Sequence, residues 1–228
     1  PEMSRGLGDV YKRQYHNRLH RNYQDDISLH YYLLASKDGI TIGKRYFKHE
    51  NNKEDYPFSP SGHNLYDNNS KLYYCRDFDN IVYQIHEDSV VPRFRINLPN
   101  PLPASMIEER PNEMSLLRSG YSLGITDIYE YGGLLFFRFV KDGYIWSCLY
   151  NVEESKQVYC AKRIKFLDSS LIDTIDGIYK DCFYSILTPE YLDYAFSENP
   201  LEDYPDLFKT YDVEGDNPVI AFYRAVVR

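Results

Sequence analysis

Long apolar runs are missing from this sequence. The longest, LLFF at 134–137 and VIAFY at 219–223, fall far short of the roughly 20 residues that a helix needs to cross a bilayer, so no transmembrane helix is expected. Positive charge is also short. Twenty-six Lys and Arg stand against 34 Asp and Glu, a net charge of −8 with no basic stripe, which argues against a general affinity for nucleic-acid backbones. The four cysteines, 75, 148, 160 and 182, show no C-x-x-C spacing and have no paired histidines beside them, which argues against zinc. There is no D-x-D-x-D-G loop to hold calcium, and no long charge-rich tract of the kind that stays disordered.

What the sequence has in excess is tyrosine: 24 residues against one Trp and three Met, in a composition 43% hydrophobic and 16% aromatic that suffices for a sizeable core. Tyrosine favours strands, and its hydroxyl tolerates a half-wet face. The stretch 63–98, HNLYDNNSKLYYCRDFDNIVYQIHEDSVVPRFRINL, arranges such residues as four short runs, 64–66, 72–75, 81–85 and 90–96, parted by turn clusters at 67–69, 77–80 and 87–88. Four short strands joined by tight turns read as one blade of a β-propeller.

The pattern recurs. Runs at 27–35 and 40–47 flank Ser36-Lys37-Asp38-Gly39, whose Asp-Gly supplies the positive φ of a hairpin turn. Runs at 124–131, 134–140, 144–150 and 157–164 make another set of four, and 177–179, 182–187 and 218–227 an interrupted last set. With Lys71, Gly133 and Asp181 as equivalent starts of second strands, the spacings are 62 and 48 residues, near the roughly 40–50 of propeller repeats once an insertion is allowed. Two excursions break the pattern. At 99–119 proline forbids ladder pairing while 104–110 can form a short helix. At 188–217, Thr188 as N-cap, Pro189 in the first helical position and Glu190 in the first turn start a helix, and 201–208 can add a further turn or two. The opening SRGLGDVYKRQ at 4–14 is unlike the rest and resembles translated adapter read-through in metagenomic reading frames. Residues 1–14 are therefore set aside as non-native, and 15–228 are read as a single propeller domain shortened at its N-terminus.

NLYDNNSKLYYCRDFDNIVYQI with the following VPRFRINL, and the ending GDNPVIAFYRAVV, resemble the six-bladed β-propeller proteins of Bacteroides-type bacteria. The resemblance runs over about residues 25 to 228. It implies an all-β fold: a β-propeller fragment of about three to four blades, each a four-stranded antiparallel sheet, from the C-terminal part of a six-bladed ring. It also implies a cell-envelope protein, periplasmic or at the surface, secreted or lipid-anchored. No catalytic signature comes with it.

Candidate chemistry is sparse. Gly120-Tyr121-Ser122-Leu123-Gly124 matches the G-x-S-x-G nucleophile elbow, but polar Arg118-Ser119 precede it, a strand-like run follows, and all six histidines lie upstream. Ser122 therefore reads as a loop residue leading into a blade. Cys148 and Cys160 fall opposite one another in a hairpin centred on Glu154, where a disulfide can form; the favoured expectation is that both are small buried hydrophobes, and Cys75 and Cys182 read as core. His63, Asn64, Asp127, Asp173 and Asp176 sit at innermost strands and their approaches, where oxygens from several blades can hold calcium and activate water, as in lactonase-like propellers. The same residue types cap turns. Tyr56, Tyr66, Tyr121, Tyr131, Tyr191 and Tyr204 offer stacking surface to a sugar or peptide, although blade packing consumes most large side chains. The expectation is a binding or scaffold protein more than an enzyme. Its ligand is a glycan, peptide or protein met by His63, Asn64, Tyr66, Asp127 and Asp176, with no catalytic residue, metal ligand or cofactor assigned. A calcium-assisted hydrolase of lactonase type is the alternative.

Overall fold

A computed structural model of the chain describes residues 31–35, 43–48, 64–109, 111–162, 164–166, 169–172, 175–198, 211–212, 214–215 and 217–224. The expectations for 1–14, for the turn at 36–39, for a helical turn at 201–208, and for His63, Asp173, Tyr56 and Tyr204 lie outside the described residues.

Strands dominate. β1 (Tyr31–Ala35) and β2 (Lys44–Lys48) form an antiparallel hairpin. β3 (Leu65–Asn68), β4 (Lys71–Cys75), β5 (Ile81–Ile85) and β6 (Val90–Arg95) form a four-stranded antiparallel sheet in chain order. These are the four runs read from 63–98, except that β3 runs on through Asp67 and Asn68, expected in the turn, so that the first turn falls at Asn69 and Ser70; the turns have identifiable chemistry. Asn69 and Ser70 take φ of 45° and 75° between β3 and β4. Between β4 and β5 the Asp79 carboxylate accepts from the backbone N–H groups of Asn80 (2.8 Å) and Ile81 (3.1 Å), an aspartate turn.

The first excursion holds two short helices, α1 (Ala104–Glu108), as expected, and α2 (Glu113–Leu117) in addition. Asn112 caps α2 by accepting from the Ser115 N–H at 2.9 Å, a start signal legible in Asn112-Glu113. β7 (Ser122–Tyr131), β8 (Leu134–Lys141), β9 (Tyr144–Asn151) and β10 (Lys156–Ala161) make the second four-stranded sheet, again in chain order. Its tight turns use Gly132-Gly133 (φ 56° and 76°) and Asp142-Gly143 (φ 54° and 72°), the double positive φ that suits the twist of a two-residue hairpin. The strand expected over 157–164 ends at Ala161; β11 (Ile164–Phe166) instead pairs with β12 (Ser169–Ile172) as a separate hairpin. The ladder is left at Lys162, whose ammonium lies 3.4 Å from the centre of the Tyr144 ring. β13 (Gly177–Tyr179), β14 (Cys182–Leu187), α3 (Pro189–Glu198) and β15 (Val219–Tyr223) follow, the three strands forming an antiparallel sheet in the order β13-β14-β15. The start of α3 is as expected: Thr188 Oγ1 accepts from the Tyr191 N–H at 3.3 Å. The Glu190 carboxyl is held below its ordinary range by the backbone N–H at the helix start and by the Thr188 hydroxyl.

The chain divides into two compact units, 1–126 with 140–143, and 127–139 with 144–228. In the first, Leu33, Tyr74, Tyr83 and Ile85 form a core against which β2 packs, its Phe47 ring 5.4 Å from that of Tyr74 and 4.6 Å from that of Tyr83. A second cluster joins Leu116 of α2 to Leu123 and Val140. In the second unit Leu187, Leu192 and Ala195 unite α3 with the last sheet, and Phe183 meets Tyr131 edge-on at 6.3 Å.

One expectation about the cysteines is corrected. Cys148 and Cys160 are joined in a disulfide rather than free. They face each other across β9 and β10 with Cα atoms 4.1 Å apart, the close approach that cross-strand pairing produces. Cys75 is free and buried as expected; Cys182 is free but only half-buried.

Candidate functional site

The G-x-S-x-G segment is a structural joint. Gly120 adopts φ 77° and its carbonyl accepts from Asn100 Nδ2 at 2.9 Å. Ser122 opens β7 instead of preceding it; it is buried, and its hydroxyl donates to the Pro99 carbonyl. Gly124, at φ 101°, faces the β4–β5 turn so closely that a Cβ there would lie 2.8 Å from the Phe78 backbone, and the next N–H, of Ile125, donates to the Asp79 carbonyl at 3.2 Å. Both glycines are present because the backbone needs positive φ or close approach. The serine is engaged with backbone, so the resemblance to a nucleophile elbow has a packing cause.

The polar candidates at the innermost strands are turned onto their own sheets. Asn64, just ahead of β3, is 3% exposed. Its Nδ2 donates to the Cys75 carbonyl (2.8 Å) and to Asp77 Oδ1 (3.2 Å), while the Cys75 N–H donates back to the Asn64 carbonyl (3.0 Å). Asn64 Oδ1 is buried without a hydrogen-bond partner. Asp176, just ahead of β13, does the same work in the last sheet: its N–H donates to the Tyr184 carbonyl (2.9 Å) and its Oδ2 accepts from the Ile186 N–H (2.7 Å). Each residue clamps the start of a first strand to the second strand of the same sheet. Asp127 lies within β7 at φ 52°, a left-handed conformation that aspartate adopts more readily than most residues. Its Oδ2 accepts from both Nε (2.8 Å) and Nη2 (2.6 Å) of Arg138 on β8. The two side chains are 14% and 18% exposed, so the pair is largely withdrawn from water.

Asn64 and Tyr66 belong to the first unit, Asp127 and Asp176 to the second. Within the second, the Tyr129 hydroxyl donates to the Asp176 carbonyl at 3.0 Å, which ties β7, the strand carrying Asp127, to the approach of β13. Among the described residues no group of three or more His, Cys, Asp or Glu is placed to hold a metal ion. Burial pushes the Cys75 thiol and the Tyr74 phenol well above their ordinary values, so neither ionises readily.

The described tyrosines of the expected stacking surface are packing residues. Tyr66 is buried, Tyr121 packs on the Leu116–Leu123–Val140 cluster, Tyr131 on Phe183, and Tyr191 on the α3 cluster. The rings that do reach solvent lie elsewhere: Tyr144, Tyr179, Tyr194 and Phe222 are each at least half exposed. Tyr144 stands beside Trp146, with Lys162 near both rings. No local signal separated these from the buried tyrosines, because alternation along a strand is the same for both.

Successive antiparallel meanders of four short strands, packed through aromatic side chains, define a β-propeller architecture. A family model described as "6-bladed beta-propeller" matches residues 8–170, and the chain belongs to that family. The match starts inside the segment 1–14 set aside above, spans both four-stranded sheets and stops ahead of the last sheet. Among solved structures, the crystal structure of a "Putative exported protein" from Bacteroides fragilis NCTC 9343 is similar, with a TM-score of 0.64 and 16% identity over 89% of this chain. The chain spans 60% of the length of that protein. No curated protein matches. The fold is thus all-β, that of the six-bladed propeller family.

Proposed function

We propose that the protein is a binding or scaffold component of the bacterial cell envelope, exported and either secreted or lipid-anchored, whose ligand is a glycan or peptide. The carrying observation is that the polar side chains best placed for chemistry are already engaged: Ser122 with Pro99, Asp127 with Arg138, and Asp176 with Ile186. A hydrolase needs a base or nucleophile free to approach substrate. A binder needs exposed rings and loop backbone, and Tyr144 with Lys162 beside it offers ring and charge together. Export is supported by the exported relative and by the Cys148–Cys160 disulfide, since disulfides persist in oxidising compartments. No helix among the described residues is long and apolar enough to cross a membrane.

The test combines glycan and peptide arrays with assays of lactone and ester turnover, with and without calcium. Saturable binding to one ligand class, weakened by Tyr144→Ala, supports the proposal. Calcium-dependent turnover lost in Asp127→Asn overturns it in favour of a hydrolase, provided that a melting curve shows the variant folded, because Asp127→Asn leaves Arg138 without its carboxylate. Absence of binding to every class removes the ligand and leaves a scaffold.

A further inference from the structure

β9 and β10 bring two aromatic rings and a cation to one patch. Alternation puts Tyr144, Trp146 and Cys148 on the same face of β9. The register that pairs Cys160 with Cys148 and Ala161 with Ser147 carries Lys162 to that face, beside Trp146. Phe139 of β8 is buried and lies parallel to the indole, with 6.2 Å between ring centres and 10° between planes, which fixes the Trp146 ring. Tyr144 is 54% exposed. The Lys162 ammonium stands 3.4 Å from the centre of the Tyr144 ring and 5.8 Å from that of Trp146. The Cys148–Cys160 disulfide ties the two strands next to these residues along each chain, so rings and cation are held together before any ligand arrives.

The patch carries unmet hydrogen-bond donors. An ammonium has three N–H donors and no acceptor, and among the described residues Lys162 forms no ion pair; its neighbours are rings. Other cations of this acidic chain are matched by carboxylates: Arg138 by Asp127, Arg76 by Asp79, and Arg224 by Asp181. Trp146 Nε1 is buried without a hydrogen-bond partner, a state that native folds mostly avoid. An anionic acceptor brought to this corner serves both donors, and the rings beside it offer apolar surface.

We infer that this patch binds an acidic glycan, one whose pyranose rings carry carboxylates as in a polyuronate. A uronic acid bears its carboxylate directly on the sugar ring, so its apolar face and its charge arrive at a fixed separation. That matches a cation held beside two aromatic rings. An acidic peptide brings its carboxylate on a flexible stem with no flat face to lay on a ring, and it loses more rotamer freedom on binding. A neutral sugar could use the rings but would leave the ammonium without a counter-charge. The inference rests on the proposed binding function and names the ligand class of that same site.

The protein carries its own probe, because Trp146 is the sole tryptophan of the chain and its emission reports on this patch alone. The experiment titrates the protein with oligogalacturonate, with the same oligosaccharide after its carboxyl groups are reduced to alcohols, and with a glutamate-rich peptide, following tryptophan fluorescence and calorimetry together. Oligogalacturonate should bind and change the Trp146 emission, and carboxyl reduction should weaken it at least about tenfold, the worth of one charge-assisted hydrogen bond. Lys162→Gln should erase the difference between the two oligosaccharides, and Lys162→Arg should keep it. Should the glutamine variant not fold, the reduced ligand makes the same comparison on the native protein. Equal binding of the two oligosaccharides to the native protein overturns the inference, as does oligogalacturonate binding seen by calorimetry with no change in Trp146 emission. Tighter binding of the glutamate-rich peptide overturns it in favour of an acidic peptide. In each of these cases the proposed binding function stands; silence of every glycan and peptide ends both.

Discussion

The β3–β6 sheet and the last sheet are built from the same materials and end in opposite states. Both are antiparallel, rich in Tyr and Phe, and clamped at their first strand by a short polar residue, Asn64 in one and Asp176 in the other. In the first, Tyr66, Tyr73 and Tyr74 are 2%, 0% and 2% exposed, whereas in the second Tyr179 and Phe222 are more than half exposed. A period of two writes two faces into any strand, but burial belongs to whatever packs against a face. Tyr74 has Phe47 stacked on it from another sheet; the rings beside Phe222 among the described residues, those of Tyr179 and Tyr184, belong to its own sheet. Equal hydrophobicity therefore carries unequal free energy.

The largest expected effect tests that inequality directly. Tyr74→Ala should destabilise the chain by about 3–5 kcal/mol, as for other large buried aromatics, while Phe222→Ala in the 228-residue chain should cost less than about 1 kcal/mol. Urea unfolding of both variants measures the difference. Comparable losses would mean that the open face is already covered in solution, and the contrast between the sheets would collapse.

Next comes the sheet that carries a covalent tie. The Cys148–Cys160 disulfide closes a loop with a sequence separation of 12, for which chain entropy gives roughly 3 kcal/mol. Reductant should lower the unfolding midpoint of the native chain, and Cys148→Ser with Cys160→Ser should begin at that lower midpoint and ignore reductant. A reductant response in the double variant would place the sensitivity elsewhere.

The two clamps should also differ. Asn64→Ala strands a buried carbonyl, that of Cys75, and should cost about 1–3 kcal/mol. Asp176→Ala frees an N–H, that of Ile186, at a more exposed site, where water can replace the carboxylate; about 0.5–1.5 kcal/mol is expected. Guanidinium titrations of the two variants rank them, and the reverse order would show that Asp176 holds more than its own sheet.

Much of the strand order was legible because its signals are local. Gly132-Gly133 and Asp142-Gly143 stop the ladder where positive φ is required, as does Asn69 at the end of the cluster read at 67–69, and the runs between such turns carry the aromatic and β-branched residues of strands. Thr188-Pro189-Glu190 announced α3 in the same way. What escaped depends on partners remote in sequence or on very short elements. α2 and the β11–β12 hairpin are of five residues or fewer per element. Whether Cys148 and Cys160 bond is a matter of compartment and backbone approach. Asn64, Asp127 and Asp176 lie in or just ahead of the first strands of their sheets, but an isolated sequence does not reveal that Cys75, Arg138 and Ile186 stand ready to engage them.

The smallest expected effect sharpens the comparison within the last sheet itself, whose other face is covered. Tyr223 lies on that face, opposite Phe183, and burial pushes its phenol up to about 12, with the Ser185 hydroxyl pulling slightly the other way. A phenol whose folded-state pKa exceeds its unfolded value of about 10 binds its proton more firmly when folded. Its contribution is complete below about pH 10 and is lost as pH rises towards 12. Tyr74, pushed higher still by burial, continues the loss beyond that window. Stability measured by urea titration should therefore decline from pH 10 to 12, and Tyr223→Phe should decline less steeply, by about 0.5 kcal/mol across the window once solvent screening is allowed for. A variant that tracks the native chain throughout would show that the Tyr223 phenol gains nothing from the covered face on which Phe183 and Leu187 are buried.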